Sequence, residues 1–147
     1  MTINQISAQK AKELLDSDAG YIYLDVRSEH EFKQQHAACA YNIPVMQMNP
    51  QTGTLQSNPD FLSVVEANFS KEAKLLLGCA AGQRSNAAAA MLKQNDYSNL
   101  NNIQGGFFGM RDMVGNIRQA GWQQLNFPTK SGDGDEKGYQ SMVKNKK

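Results

Sequence analysis

Cysteine is scarce in this chain. Two cysteines, Cys39 and Cys79, among 147 residues cannot build a disulfide framework. That excludes a small cross-linked secreted scaffold and makes a reducing, cytoplasmic location the expectation. An excess of one charge sign is missing as well. Fifteen Lys and Arg stand against 14 Asp and Glu, for a formal net charge of +1, so no overall field draws the chain to nucleic acid or to a membrane surface. No apolar run approaches a membrane span in length. The opening residues, MTINQISAQKAKELL, lack the basic-then-apolar layout of a secretory leader. No internal repeat is visible. What is present is a chain of single-domain length with an apolar fraction of 40%, enough to bury a core.

Local patterns alternate between two kinds of element. Ser7 is placed to cap a helix on which Ala8, Ala11, Leu14 and Leu15 share one face. YIYLDV (21–26) is short, apolar and aromatic, and reads as a strand. Ser28 and Glu31 have the spacing of a capping box, so a helix starts there. AYNIP (40–44) reads as a short strand stopped by Pro44, and 45–57 as a loop with Pro50 and Gly53. Asn58 and Pro59 open a helix carrying Phe61, Leu62, Val65 and Phe69. AKLLLG (73–78) is continuously apolar, as in a strand buried on both faces, and SNAAAAMLKQ (85–94) is strongly helix-forming. LNNI (100–103) reads as a last strand, and a helix from about Phe107 to Gln119 is expected to close the domain. Residues 129–147 have little apolar content and read as a flexible tail beyond a domain of residues 1–128.

Strands alternating with helices imply a parallel sheet covered on both faces, with ligands bound at the carboxyl ends of strands. Cys79 falls at such an end, in LLLGCAAGQRS (75–85). Between strand and helix, backbone N–H groups can converge on an anion, and the following helix adds the positive end of its dipole. Ala80, Ala81 and Gly82 let the loop curl tightly, and Gly82 tolerates a positive φ. Gln83 completes the turn, Arg84 can add a full charge and five donors, and Ser85 follows. The site reads as one built for a thiolate and for an anion or polarisable sulfur brought to it.

The residues resemble the rhodanese-like sulfurtransferases. CAAGQRS resembles that family's active-site loop: cysteine, four residues, arginine, then serine or threonine. YLDVRSEHEFKQQHAACAYNIP (23–44) is similar to its upstream signature, and NIQGGFFGM (102–110) to its Gly-Gly segment. The resemblance is closest to single-domain members with thiosulfate sulfurtransferase activity. It implies an α/β fold with a central, mostly parallel five-stranded sheet and helices on both faces. It also implies a mechanism. Cys79 takes the outer sulfur of a donor such as thiosulfate as a persulfide and passes it to a thiol or cyanide. The backbone N–H groups of residues 80–84 steady the negative sulfur, so Ala80, Ala81, Gly82, Gln83, Arg84 and Ser85 form the substrate-binding loop. No metal or organic cofactor is implied. The implied partners are small sulfur donors and thiol acceptors, a protein thiol among them, with no nucleic acid and no membrane. The chain departs from the family pattern in three places. Ala80 stands where a basic residue is common, Cys39 where a glycine is usual, and Met110 where a tryptophan often follows the Gly-Gly pair.

Two other readings remain. One is a non-catalytic interaction module on the same fold, which would more often lack the cysteine. The other is a phosphatase or arsenate reductase, whose loop has five rather than four residues between cysteine and arginine. Asp25, Arg27 and Glu31 read as a polar network steadying the strand end and helix start beside the loop, with Asp25 and Arg27 behind the site rather than in it. Cys39 reads as a small buried hydrophobe. His30, His36 and Cys39 match no standard metal-ligand spacing. Gly105 and Gly106 read as a tight turn that can also wall the pocket.

Overall fold

The computed structural model describes residues 3–145. The chain opens with β1 (Asn4–Ser7), and Ser7 caps α1 (Ala8–Asp16) by accepting from the Lys10 N–H at 3.0 Å. β2 (Tyr21–Asp25) leads into α2 (Glu29–Gln34), which starts on the expected reciprocal capping box of Ser28 and Glu31. Two short strands follow, β3 (His36–Ala37) and β4 (Tyr41–Asn42). Next comes an antiparallel hairpin of β5 (Met46–Met48) and β6 (Leu55–Ser57), inside the segment expected to be a loop. α3 (Phe61–Asn68), β7 (Lys74–Gly78), α4 (Gln83–Gln94) and β8 (Asn99–Gln104) complete the alternation. A second hairpin, β9 (Met110–Arg111) with β10 (Ile117–Gln119), precedes β11 (Thr129–Lys130) and α5 (Tyr139–Lys144).

Five strands form the central sheet in the order β1-β8-β7-β2-β4, and all its pairings are parallel. Side chains alternate across it, so neighbours along one strand serve different cores. Leu24 of β2 and Leu75 and Leu77 of β7 pack with Val64 and Val65 of α3, Ala88 and Leu92 of α4, and Met142 of α5. Tyr23 and Leu76 face the other way, against Ala8 and Ala11 of α1, Phe32 of α2, and Trp122. The leucine run of β7 is buried on both faces because both faces are covered.

Three expectations need correction. The segment after Phe107 is a hairpin and not a helix. Asp112 Oδ1 accepts from the N–H groups of Val114 and Asn116, and Gly115 sits at φ +87, a turn chemistry that competes with helix. Residues 129–145 are no flexible tail. β11 pairs antiparallel with β3, the Tyr139 hydroxyl accepts from Asn58 Nδ2, and Met142 is 5% exposed within the core. One well-placed methionine anchors a segment whose average composition is polar. The lysine-rich end continues through Lys146 and Lys147, which lie outside the described residues. Third, α3 begins at Phe61, with Asp60 rather than Asn58 at the cap position. Asn58 Oδ1 instead accepts from the Asp60 N–H at 3.1 Å.

Candidate active site

Gly78 ends β7, and the chain curls through residues 79–82 before α4 begins at Gln83. Gly82, the residue before α4, takes φ +115, which a residue with a Cβ resists. The curl turns backbone donors inward. Cys79 Sγ accepts from the Gly82 N–H at 3.1 Å and the Ser85 N–H at 3.4 Å, and it lies 3.4 Å from Ser85 Oγ. Of the amides at residues 80–84, Gly82's is thus within bonding distance of the sulfur, and Ser85's joins it from just beyond that range. Dipoles so directed, at the start of a helix, stabilise negative charge on sulfur. Cys79 is 2% exposed, so the sulfur is buried at the floor of the loop. Ala80 and Ala81 are half-buried above it, and Gln83 is exposed. Broad hollows of about 410 and 490 Å³ lie beside the C-terminal segment, lined by Tyr139 and Lys144 in one and Lys130 and Lys137 in the other, and neither includes a residue of the loop.

Arg84 does not spend its donors on the sulfur. Its two terminal nitrogens grip Glu31 at 2.7 and 2.9 Å, a bidentate pair between α4 and α2. The same carboxylate accepts from the Ser28 N–H and hydroxyl. Burial opposes its charge, but the Arg84 guanidinium and the Ser28 bonds more than offset that and hold the Glu31 carboxyl down at about 2.

Asp25 and Arg27 form a separate pair, each 1% exposed. Arg27 Nη2 donates to Asp25 Oδ2 at 2.8 Å and to the Gln35 carbonyl at 2.7 Å, while Nε lies 3.1 Å from both carboxylate oxygens. The network expected of Asp25, Arg27 and Glu31 is therefore two ion pairs. The Arg27 guanidinium lies over the Phe107 ring at 4.6 Å, and the Phe107 N–H donates to the Cys79 carbonyl at 2.8 Å. The Phe108 N–H bonds Ala80 in the same way, so this segment forms a wall of the loop. Gly106, at φ +50, is what lets it approach: a Cβ there would run into the Cys79 carbonyl.

The resemblance leads one to look for a tryptophan soon after Gly106. In space Trp122 follows it, its backbone N–H donating to the Gly106 carbonyl at 2.9 Å, because the β9–β10 hairpin loops out and returns. Trp122 is 2% exposed and meets the Tyr23 ring edge-on at 5.3 Å. Burial pushes the Tyr23 hydroxyl well above its ordinary range, with Asp25 adding to the rise. Sequence reasoning missed Asn102. Its Oδ1 accepts from the Ser85 hydroxyl, and its Nδ2 donates to Gln5 at 2.8 Å, tying the loop to β1. An asparagine inside a strand gives no local signal of such a role. Cys39 packs on the α1–α2 face while Cys79 belongs to the other core, both thiols are free, and burial pushes the Cys39 thiol up. His36 Nδ1 lies 2.6 Å from the Phe32 carbonyl and its ring stacks on Phe32, a packing role. Among the described residues no group of three or more His, Cys, Asp or Glu could hold a metal.

The fold is a parallel α/β sheet with a cysteine cradled by backbone amides at the end of a central strand. Comparison with known proteins gives its family. The Rhodanese-like domain model matches residues 7–112, and the chain belongs to that family. It is 35% identical over 128 residues to thiosulfate sulfurtransferase 16, chloroplastic, of Arabidopsis thaliana, covering 87% of this chain and 93% of the relative. It is 37% identical over 109 residues to thiosulfate sulfurtransferase 18 of the same plant, covering 73% and 77%. Among solved structures, Rv0390 of M. tuberculosis superposes with a TM-score of 0.72 at 22% identity, over 90% of this chain and all of that one, which supports the fold. The expected five-stranded rhodanese fold is therefore present. No described helix is long and apolar enough to cross a membrane.

Proposed function

We propose that this protein is a sulfurtransferase that carries a sulfane sulfur on Cys79. The observation that carries the reading is the cradle itself: the Gly82 and Ser85 amides donate to one sulfur, in a loop with four residues between Cys79 and Arg84. The thiolate attacks the outer sulfur of a donor such as thiosulfate. The donor's S–S bond breaks, sulfite leaves with the electron pair, and Cys79 keeps the transferred sulfur as a persulfide. A thiol or cyanide then attacks that terminal sulfur, and the Cys79 thiolate returns. The amides hold negative charge on sulfur in both states. Ala80 and Ala81 roof the loop, Gln83 and Arg84 edge it, and Asp25 and Arg27 hold the Phe107 wall behind it. The chemistry calls on no metal or organic cofactor. Small sulfur donors and thiol acceptors are its partners, a protein thiol among them, in a reducing compartment such as the cytoplasm.

Steady-state kinetics with thiosulfate and cyanide test this. Parallel double-reciprocal lines and thiocyanate formation that vanishes in Cys79→Ser are expected. Full activity in that variant would end the mechanism. The low exposure of Cys79 favours one competing reading, a non-catalytic interaction module, which predicts no turnover with any sulfane donor.

A further inference from the structure

The electrostatics around the loop bear on the donor's charge. Transfer from thiosulfate brings a dianion to a thiolate, so three negative charges share the site, before and after the sulfur moves. Transfer from an organic hydropersulfide, R–S–SH, brings no charge in its neutral form. The thiolate takes the terminal sulfur with its proton, the S–S bond breaks, and R–S⁻ leaves with the electron pair, for one negative charge throughout. A site made for the dianion needs uncompensated cations close by.

The cation of the loop and the cation behind it are both compensated. Arg84 is gripped by Glu31, and Arg27 by Asp25. Ala80 and Ala81 bring no charge. Glu29, on the first turn of α2 beside Glu31, has its carboxylate bonded by the neutral side chains of Gln47 and Gln140, which leaves its charge in place. On the hairpin beyond the Phe107 wall, Arg118 pairs with Asp112, while Arg111 donates to the neutral Gly115 carbonyl of its own turn and keeps its charge, as Glu29 keeps its opposite one. Amide dipoles are thus the main positive field at the sulfur, sufficient for a single negative charge.

Resting on the persulfide reading above, we infer that Glu31 sets donor specificity: by neutralising Arg84 it fits Cys79 for a low-charge organic hydropersulfide rather than for thiosulfate. Glu31 is a positioning residue, acting through Arg84. The test compares kcat/KM for thiosulfate and for 2-hydroxyethyl hydropersulfide, with cyanide as acceptor, in the wild type, Glu31→Gln and Ala80→Lys. Glutamine keeps an acceptor for the Ser28 N–H and removes the charge. Ala80→Lys adds a cation without touching the α2 cap, so it serves even if Glu31→Gln folds poorly. The wild type should prefer the hydropersulfide by about tenfold or more, and each variant should raise the ratio of kcat/KM for thiosulfate to kcat/KM for the hydropersulfide by about tenfold. Preference for thiosulfate in the wild type, or variants that move both donors equally, would overturn the inference and leave the persulfide mechanism standing. Failure of both donors to load Cys79 in the wild type would overturn both.

Discussion

Replacing Asp25 by asparagine keeps the shape of the side chain and removes its charge. The structure says what is lost. Arg27 is 1% exposed, its Nε and Nη2 sit 2.8–3.1 Å from the Asp25 oxygens, and its guanidinium also meets the Gln35 carbonyl and the Phe107 and Phe108 rings. Without the carboxylate a guanidinium stays buried with no counter-charge, a change that costs about 3–5 kcal/mol. With a urea dependence of about 2 kcal/mol/M, the unfolding midpoint should fall by roughly 1.5–2.5 M. Replacing both partners with apolar residues of similar volume, as in Asp25→Leu with Arg27→Met, should cost much less, because no charge is then stranded. Urea unfolding of the two variants and the wild type reads this directly. An asparagine variant within about 0.5 M of the wild type would refute the claim that this pair is a buried, mutually dependent unit. Because Phe107 lies between Arg27 and the Cys79 carbonyl, the asparagine variant should also lose sulfur transfer under conditions where it remains folded.

Three further outcomes are expected. Gly106→Ala should cost roughly 2 kcal/mol or more and slow sulfur transfer at least about tenfold, since it combines a positive φ with a Cβ driven into the Cys79 carbonyl; urea unfolding and the thiocyanate assay measure both. Truncation after residue 128 should destabilise the fold, and Met142→Ala alone should cost about 2–4 kcal/mol; thermal unfolding indistinguishable from the wild type would restore the flexible tail. The Glu31 carboxyl titrates near 2 in the fold against an ordinary 4.5, so the unfolded chain takes up its proton first and stability falls as pH drops from about 4.5 toward 2. Urea midpoints at pH 5 and pH 3 should separate more in the wild type than in Glu31→Gln.

The sheet and the loop were legible because their signals are local. The apolar run of β7, the capping box at Ser28, and a cysteine followed by small residues and an alanine-rich helix each declare themselves within a few residues. β1 is not legible, because Asn-Gln-Ile-Ser has no strand pattern; it is an edge strand held by parallel pairing to β8. The apolar spacing after Phe107 suits a helix or a hairpin, and Asp112 with Gly115 decides for the hairpin. α5 was missed since Tyr139 and Met142 carry its packing within a polar segment. The grip of Glu31 on Arg84 joins residues far apart in sequence. A capping glutamate is visible locally, but its second partner is not. Asn102 is hidden for the same reason.

The central claim is that the sulfur of Cys79 accepts another sulfur. Intact-mass spectrometry of the reduced, desalted protein after brief exposure to a sulfane donor tests it most directly, with peptide mapping to locate the adduct. A gain of one sulfur atom on the Cys79 peptide, reversed by cyanide and missing in Cys79→Ser, is the predicted result. An unchanged mass with both thiosulfate and a hydropersulfide, or an adduct found only on Cys39, would contradict the account.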